Sequence, residues 1–565
     1  MRDPSPRRRW LGLIAIALGV ALIVVDTTIV NVIVPSVIED LGANSAQAQW
    51  IQESYAIVFA ALLLLTGRLA DILGARRVFV VGVVVFGATS VLAGLAPDSG
   101  LLIVARFLQG VGAAMLLPTS LALLNATFTG RARGQAFAVW GSTIGAAAAL
   151  GPLLGGWLAE HVSWRWAFGI NVPLSALVAA GVLLYMAPSP RREGRVDVAG
   201  AVLSVLGLGL LAFGLVEGRT YGWVVGVRAL DVAGFTWDGG PSPVLVALVL
   251  AAVALAVFVR RQSVLGRGAD PTRVLMDVRL FRIASFRNGN IATLIIGIGE
   301  FGIVAVLPLW LQFTLGYSAL QAGLALVPVA IGSFVATGAG FGMAAKVTAL
   351  VQVRIGLALE VAGLAGTGLI AAPDSSWWTV SLMLFVYGTG VGFATAQVTN
   401  VVLNDIPAHS AGQASGTQSA VRQLGSALGI AALTTVFFTT LDSRLQSRLS
   451  DAGLPAEQSD RFAGAVTDSA GAAIEALASR PRTVPVAEAA RSAMTDGVAL
   501  GGYVAAGFVV LGLIASFLVP AGRSGGTGPA SGAASPSTSP ADTQEEVVPV
   551  LPRSGQRAAG DGQEV

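Results

Sequence analysis

Gly151-Pro152-Leu153-Leu154-Gly155-Gly156 closes an apolar run that begins at Gln135 and ends at Leu158. In water this string would be a turn, because Gly and Pro are the poorest helix formers. In hydrocarbon, neighbouring helices re-satisfy the freed backbone groups, so the same residues become a bend and a close-packing face. Gly141, Gly145, Ala149 and Gly156 add small side chains at near-helical spacing, where a second helix backbone can approach. Ordinary small-residue packing explains any one of them as well. The chain then continues Trp164-Arg165-Trp166-Ala167-Phe168-Gly169-Ile170-Asn171-Val172-Pro173.

The composition decides which solvent applies. The 565 residues are 54% hydrophobic and 12% charged, too apolar for a soluble globular chain. Apolar windows near the 20 residues that a bilayer requires fall at about 10–34, 50–70, 78–96, 101–123, 135–158, 166–186, 198–216, 243–260, 288–313, 322–344, 353–371, 378–403, 417–440 and 498–520. That predicts fourteen transmembrane helices and an all-α polytopic membrane protein. Without cysteine there is no disulfide framework, thiol nucleophile or Cys-based metal site. The two histidines, His161 and His409, fall far apart in expected loops, which argues against a histidine metal site. Arg7-Arg8-Arg9 before an apolar run imitates a signal peptide, but the run reaches Pro35 with no convincing cleavage site and reads as a retained first helix. Threading the chain with its N-terminus inside places 24 of the 35 Lys+Arg in cytoplasmic segments and 9 outside. The basic balance therefore reads as membrane orientation, with both termini cytoplasmic in the plasma membrane, rather than as nucleic-acid binding.

GxxxGPxxGG, with Ala147 at its first glycine, followed by WRWxFxxNxP, resembles the antiporter signature of the fourteen-helix drug:proton antiporters within the major facilitator superfamily. Further strings are similar to motifs of that superfamily. Asp26-Thr27-Thr28-Ile29-Val30-Asn31 with Pro35 resembles the branch's first-helix DxTxxNxxxP motif, Arg106-Phe107-Leu108-Gln109-Gly110-Val111-Gly112 the buried-arginine RxxQGxG, and Gly67-Arg68-Leu69-Ala70-Asp71-Ile72-Leu73-Gly74-Ala75-Arg76-Arg77 the GxLaDrxGrr loop. Ile72 departs from that loop pattern, where a basic residue is usual, so one ion pair of a cytoplasmic latch is in doubt. The resemblance implies the major facilitator fold: two pseudo-symmetric six-helix bundles, residues 1–186 and 288–523, around a midplane cavity. Residues 187–287 would hold two linker helices and a basic cytoplasmic loop, and 441–497 an extracytoplasmic loop with short helices. The Gly/Ser/Pro/Thr-rich tail 524–565 would be a disordered cytoplasmic segment. The linker loop's arginines suit an anionic lipid surface or simple solvation equally well.

Several polar residues lie within the apolar segments. Asp26 costs a few kcal/mol in hydrocarbon and should face a cavity or a partner. Counted down their helices at 1.5 Å per residue, Asp26 and Arg106 reach similar depths, close enough to meet, with Glu53 able to join them. Near the headgroups, Glu53 could equally be solvated. Glu300 lies deep in the ninth segment, on a helix that lines the cavity in the superfamily. Asp26, Arg106, Glu53 and Glu300 are thus the candidates for proton coupling, and Glu53, Glu300, Phe301 and Phe313 for the substrate cavity, where Phe301, Phe313 and Trp310 could give cation–π contacts. Gly145, Gly151, Pro152, Gly155 and Gly156 would form the bend of the fifth helix. Gly67, Asp71, Gly74, Arg76 and Arg77 would form the latch loop, with Asp71 placed to cap the next helix. Glu360 maps to a peripheral helix with a structural or lipid-edge role, and Arg422 to the inner end of the thirteenth, where it can snorkel.

Together these imply a proton-coupled secondary antiporter exporting amphipathic, cationic drugs or toxic compounds, acting as a monomer. Its partners would be a small-molecule substrate, protons and membrane lipid, with no nucleic acid. No GxxxxGK[ST] loop is present, so a proton gradient and no cofactor would supply the energy. An exporter of a self-made antibiotic or envelope metabolite, and a non-transporting scaffold or sensor, are the alternatives. An enzyme is not expected.

Overall fold

The computed structural model describes residues 5–519 apart from 44, 190, 192–193, 233–234, 268–272, 344–345 and 408–409. The expected tail 524–565 and His409 lie outside the described residues. Fourteen helical spans are long and apolar enough to cross a bilayer, and each coincides with a segment expected from the sequence. The spans fall within α1 (Pro6–Leu41), α2 (Ser45–Leu73), α3 (Ala75–Gly94), α4 (Ser99–Thr127), α5 (Gly130–His161), the pair α6 (Trp166–Gly169) and α7 (Asn171–Tyr185), α8 (Val198–Tyr221), α9 (Pro243–Arg267), α10 (Ala284–Phe313), α11 (Ala319–Met343), α12 (Ala349–Ile370), α13 (Trp377–Val402), α14 (Ala411–Asp451) and α17 (Val484–Ser516), the first ending at Val30. Short helices α15 (Ala456–Asp468) and α16 (Ala473–Ala478) lie between the last two.

The helices overrun the apolar windows, because polar residues at a membrane surface can stay helical in water. The overrun is largest at 441–497. There α14 continues to Asp451 and α17 starts at Val484, so the expected loop is largely helical. Leu445, Leu449, Ala463, Val466, Ile474 and Val486 are buried and continue the main core, and Arg448 bonds Asp496 at 2.6 Å. His161 closes α5 rather than lying in a loop.

In the first half α1 packs on α5 and α7, α2 on α4, and α3 on α4 and α7. In the second, α10 packs on α14 and α17, α12 on α13 and α17, and α11 on α13. The halves meet where α5 lies against α11 and α13, and where α14 lies against α2 and α4. Helices α8 and α9 pair with each other, and α8 leans on α2 and α14. A two-stranded hairpin, β1 (Leu230–Val232) with β2 (Phe235–Trp237), joins α8 to α9. It was not expected, since three-residue strands leave too short a pattern to recognise.

α5 runs unbroken through Gly151–Gly156 with Pro152 inside it. A Cβ at Gly155 would lie 3.0 Å from the Ile29 carbonyl oxygen, and one at Gly151 3.0 Å from that of Val25. Both glycines therefore press α5 onto α1 within its own bundle, not onto a neighbour across the cavity. A different face of α5 touches the other half, where Gly323 of α11 abuts Pro152 and Leu153, and Gly145 abuts Ser333. Gly156 is buried as well.

Candidate functional site

Asp26 is fully buried on α1 and collects three donors from two other helices. It accepts hydrogen bonds from Arg106 Nη1 at 2.5 Å, Gln109 Nε2 at 2.8 Å and Asn171 Nδ2 at 2.8 Å. Arg106 and Gln109 stand one turn apart on α4, so both present to the same face. Arg106 also donates to Gln109 Oε1 and, through Nε, to the Ile51 carbonyl at 3.1 Å. Its guanidinium lies 4.4 Å from the Tyr55 ring centroid. Ser90 of α3 closes the network by accepting from Gln109 at 2.9 Å. A charge pair in so dry a setting is held only because nearly every lone pair and proton is satisfied.

The sequence reading paired Asp26 with Arg106 but missed Gln109 and Asn171. Both stood in the strings already quoted, RxxQG and WRWxFxxNxP, as motif letters without an assigned partner. The second string has a further use. Trp164 Nε1 donates to Asp40 Oδ2 at 3.0 Å, and Arg165 pairs with the same oxygen. These bonds hold the Asp40 carboxyl below the usual carboxylate range, Arg165 contributing most. They tie the end of α1 to α6 and so fix the helix that carries Asp26.

Glu53 does not join this network. It faces α8, within electrostatic reach of Tyr221 and Glu217, and the neighbouring Trp50 stacks between Phe107 and Phe213 of α8. A helix periodicity of 3.6 residues places Glu53 away from Tyr55, which does face Arg106.

Glu300 sits at the centre of the second half, nearly fully buried. Thr395 Oγ1 donates to its Oε1 at 3.0 Å, and Arg422 Nη2 stands 3.8 Å from the same oxygen. Arg422 does not snorkel. α14 begins six residues before the expected start, which puts Arg422 eleven residues inside the helix, 5.5 Å from the Phe301 ring centroid and 5.9 Å from that of Trp140. Glu360 is fully buried within reach of Glu300 and Arg422, not at a lipid edge. A cavity of about 20 Å³ borders Glu300, Thr395, Gln418 and Arg422. It is the size of a water and far below a drug-sized ligand.

Phe301 thus belongs with Glu300, whereas Phe313 does not. Phe313 ends α10, thirteen residues further on, and packs beside Gly471 and Met494 of the 441–497 region. Trp310 is also outside the cavity, fully buried and donating to Thr495 of α17 at 3.1 Å.

The latch loop joins the two halves at the face bearing the amino terminus. Asp71 accepts from the backbone N–H of Gly412 at 2.7 Å and of Gln413 at 2.8 Å. It therefore caps α14 of the other half, not the next helix, whose N-cap Gly74 offers no side-chain bond. Gly67 allows the approach, since a Cβ there would lie 2.6 Å from the Gly412 carbonyl oxygen. Gly74 takes a left-handed φ of 91° at the turn. Arg76 bonds the Leu183 carbonyl at 2.5 Å and Arg77 is exposed. On the same face Arg133 Nη2 donates to the Asn400 carbonyl at 3.4 Å, and Gln397 to that of Gly134 at 3.3 Å. Arg261 holds Asp197 bidentately, and that bond keeps the Asp197 carboxyl below its ordinary range.

The sequence model described as Major Facilitator Superfamily matches residues 16–430. Among curated proteins the chain is similar to the puromycin resistance protein pur8 of Streptomyces alboniger, at 36% identity over 77% of this chain and 83% of that one. It is also similar to the multidrug efflux pump LfrA of Mycolicibacterium smegmatis, at 32% identity over 90% of this chain and 95% of that one. Among solved structures, the human organic anion transporter MFSD10 has the same fold at a TM-score of 0.56 and 15% identity, covering 91% of this chain and all of that one. The proton:xylose symporter XylE overlays with a TM-score of 0.54 at 14% identity, covering 83% of this chain and 96% of that one.

Proposed function

Because the chain belongs to the Major Facilitator Superfamily, we propose that it is an exporter of drugs or antibiotics that exchanges inward protons for an outward amphipathic substrate. Relatives named for resistance and efflux, matched over most of both chains, support export. The observation that carries proton coupling is Asp26, a fully buried carboxylate held by a single cation and two amides. A proton arriving at Asp26 would cancel its attraction for Arg106 and loosen α1 from α4. The affinity of that site for protons is thereby tied to helix packing, which is what a coupled transporter requires. The energy comes from the proton gradient, without cofactor; the electrical part supplies about 2.3 kcal/mol per charge for each 100 mV.

The arginine-rich face, with Asp71 on α14, is the cytoplasmic one in this reading, and the protein works as a monomer in the plasma membrane. Its cargo is cationic, because Glu300 borders the cavity in the second half and the Phe301 ring lies beside Arg422 of the same lining. At about 20 Å³ this cavity admits no drug, so the helices around it must move apart to load one.

The test is purified protein in sealed vesicles under an imposed pH gradient, with a lipophilic cation inside or outside. Uphill cation movement that stops with an uncoupler is the expected result. Movement unaffected by collapsing the gradient would overturn proton coupling.

A further inference from the structure

Glu360 is fully buried at the middle of α12, and neither carboxylate oxygen has a hydrogen-bond partner among the described residues. The helix packs on α13 and α17. Contact with α13 is close because Gly390 has no side chain: a Cβ there would lie 2.7 Å from Glu360 Cγ. The titratable and charged groups within electrostatic reach of Glu360 are Tyr387, one turn before Gly390 on α13, Glu300 of α10 and Arg422 of α14. The charged residues of α17, Glu488, Arg491 and Asp496, all precede Gly497, and the rest of that helix is uncharged.

One guanidinium therefore serves two carboxylates. Arg422 stands against Glu300, whose Oε1 also accepts from Thr395. Glu300 has one hydrogen bond and a guanidinium 3.8 Å away. Glu360 has none, and an unbonded buried anion costs far more than the neutral acid. Tyr387 offers no relief, since its hydroxyl already donates to the Glu300 carbonyl oxygen at 2.6 Å.

We propose that Glu360 and Glu300 form a two-carboxylate proton site in the second half of the molecule, Glu360 holding the proton while Glu300 holds the charge against Arg422. The site is separate from Asp26 and rests on the proton-coupled reading above. When α14 moves away from α10, Arg422 leaves Glu300, and the proton of Glu360 is the one that neutralises it. Return of Arg422 expels that proton through the cavity that Glu300, Gln418 and Arg422 border, and Glu360 takes its next proton from the opposite side of the membrane. Only a proton moves, and no bond between heavy atoms forms or breaks. Two carboxylates that share a charge in this way titrate as a unit.

The experiment uses the full chain in sealed vesicles, with a lipophilic cation as cargo. It compares the parent, Glu360→Gln and Glu360→Asp. The proton:cation ratio is read from the voltage at which net flux reverses. Infrared difference spectra across a pH titration follow the carbonyl stretch of a protonated carboxylic acid. Glu360→Gln replaces a neutral acid with a neutral amide of the same size. It is expected to lower the ratio by one proton and to remove one titrating carboxylic-acid band, while Glu360→Asp keeps both. Should the glutamine variant not transport at all, the infrared band decides alone. A band that persists in Glu360→Gln, or a lost band with an unchanged ratio, overturns the site while leaving proton-driven export in place. A parent that ignores the pH gradient overturns the proton-coupled reading, and this site with it.

Discussion

Asp26 and Glu300 are both buried carboxylates beside an arginine, yet they call for different outcomes on neutralisation. Asp26 bonds three donors from two helices, so its charge sets the packing of α1 on α4. Asp26→Asn is expected to abolish uphill export of every substrate while leaving insertion and substrate binding intact, measured as gradient-driven flux and equilibrium binding in the same vesicles. Continued uphill flux would make Asp26 a purely structural residue. Glu300 borders the cavity, where a charge pair about 4 Å apart is worth a few kcal/mol at an effective dielectric near 20. A third of that is about a decade in affinity. Glu300→Gln should therefore lower efflux of divalent lipophilic cations about tenfold more than that of monovalent ones at matched expression. Glu53→Gln should leave the ratio unchanged, because Glu53 faces α8. An equal loss for both charge types in Glu300→Gln would remove the cationic-cargo reading. At this scale the sequence showed that Asp26, Arg106 and Glu300 are buried, since hydropathy reports that directly, but it left Glu360 and Arg422 at the periphery. It did not show which way Glu53, Glu360 or Phe313 points, because rotation about a helix axis is set by neighbours that lie far away in sequence.

The element in which this distinction matters most is α5. Its small residues were legible as a packing face, but not which helix each one touches. Gly151 and Gly155 lie on α1, and Gly145 on α11. Gly155→Leu should thus disturb the helix that carries Asp26, giving an inserted protein with little export and a proton leak seen as acidification of vesicles without cargo. Normal export would mean that α1 can yield at this contact. The α2–α3 turn carries a second prediction. A carboxylate at a helix N-terminus is worth about 0.3–1 kcal/mol, and up to about 2 when partly buried. Asp71 gives two such bonds to α14, whereas Asn offers one neutral acceptor. Asp71→Asn should shift the population toward states open at that face by about three- to thirtyfold. Spin labels on Leu73 and Asn404, both exposed there, would read this as growth of a longer distance. An unchanged distribution would mean that the Gly67–Gly412 contact closes the face without the charge. The motif itself was readable, but its partner was not, because 341 residues separate Asp71 from Gly412.

Across the molecule, the polar contacts that hold the halves together at the arginine-rich face include, among the described residues, Asp71 to α14, Arg133 to the Asn400 carbonyl, and Gln397 to that of Gly134. Such contacts are exchangeable for water at small net cost, since a typical intramolecular hydrogen bond contributes only about 0.5–1.5 kcal/mol. The glycine contacts within a half are of another kind. Gly112 on Phe86, Gly356 on Ala394 and Gly429 on Ile298 bring backbones together along whole helices. Each half should therefore move as a body while the seam between them opens. The chain's lack of cysteine makes this directly testable. A Cβ at Gly134 would lie 3.7 Å from Asn400 Nδ2 across the seam, and both residues are half-buried, within reach of reagent. In Gly134→Cys/Asn400→Cys, a short bis-methanethiosulfonate linker, which forms a disulfide at each cysteine by displacing methanesulfinate, should stop export, and reduction should restore it. The two single variants under the same reagent should transport as before, which separates bridging from modification. If the bridged protein still exports at its unbridged rate, the halves do not part at this face, and substrate must enter by another route.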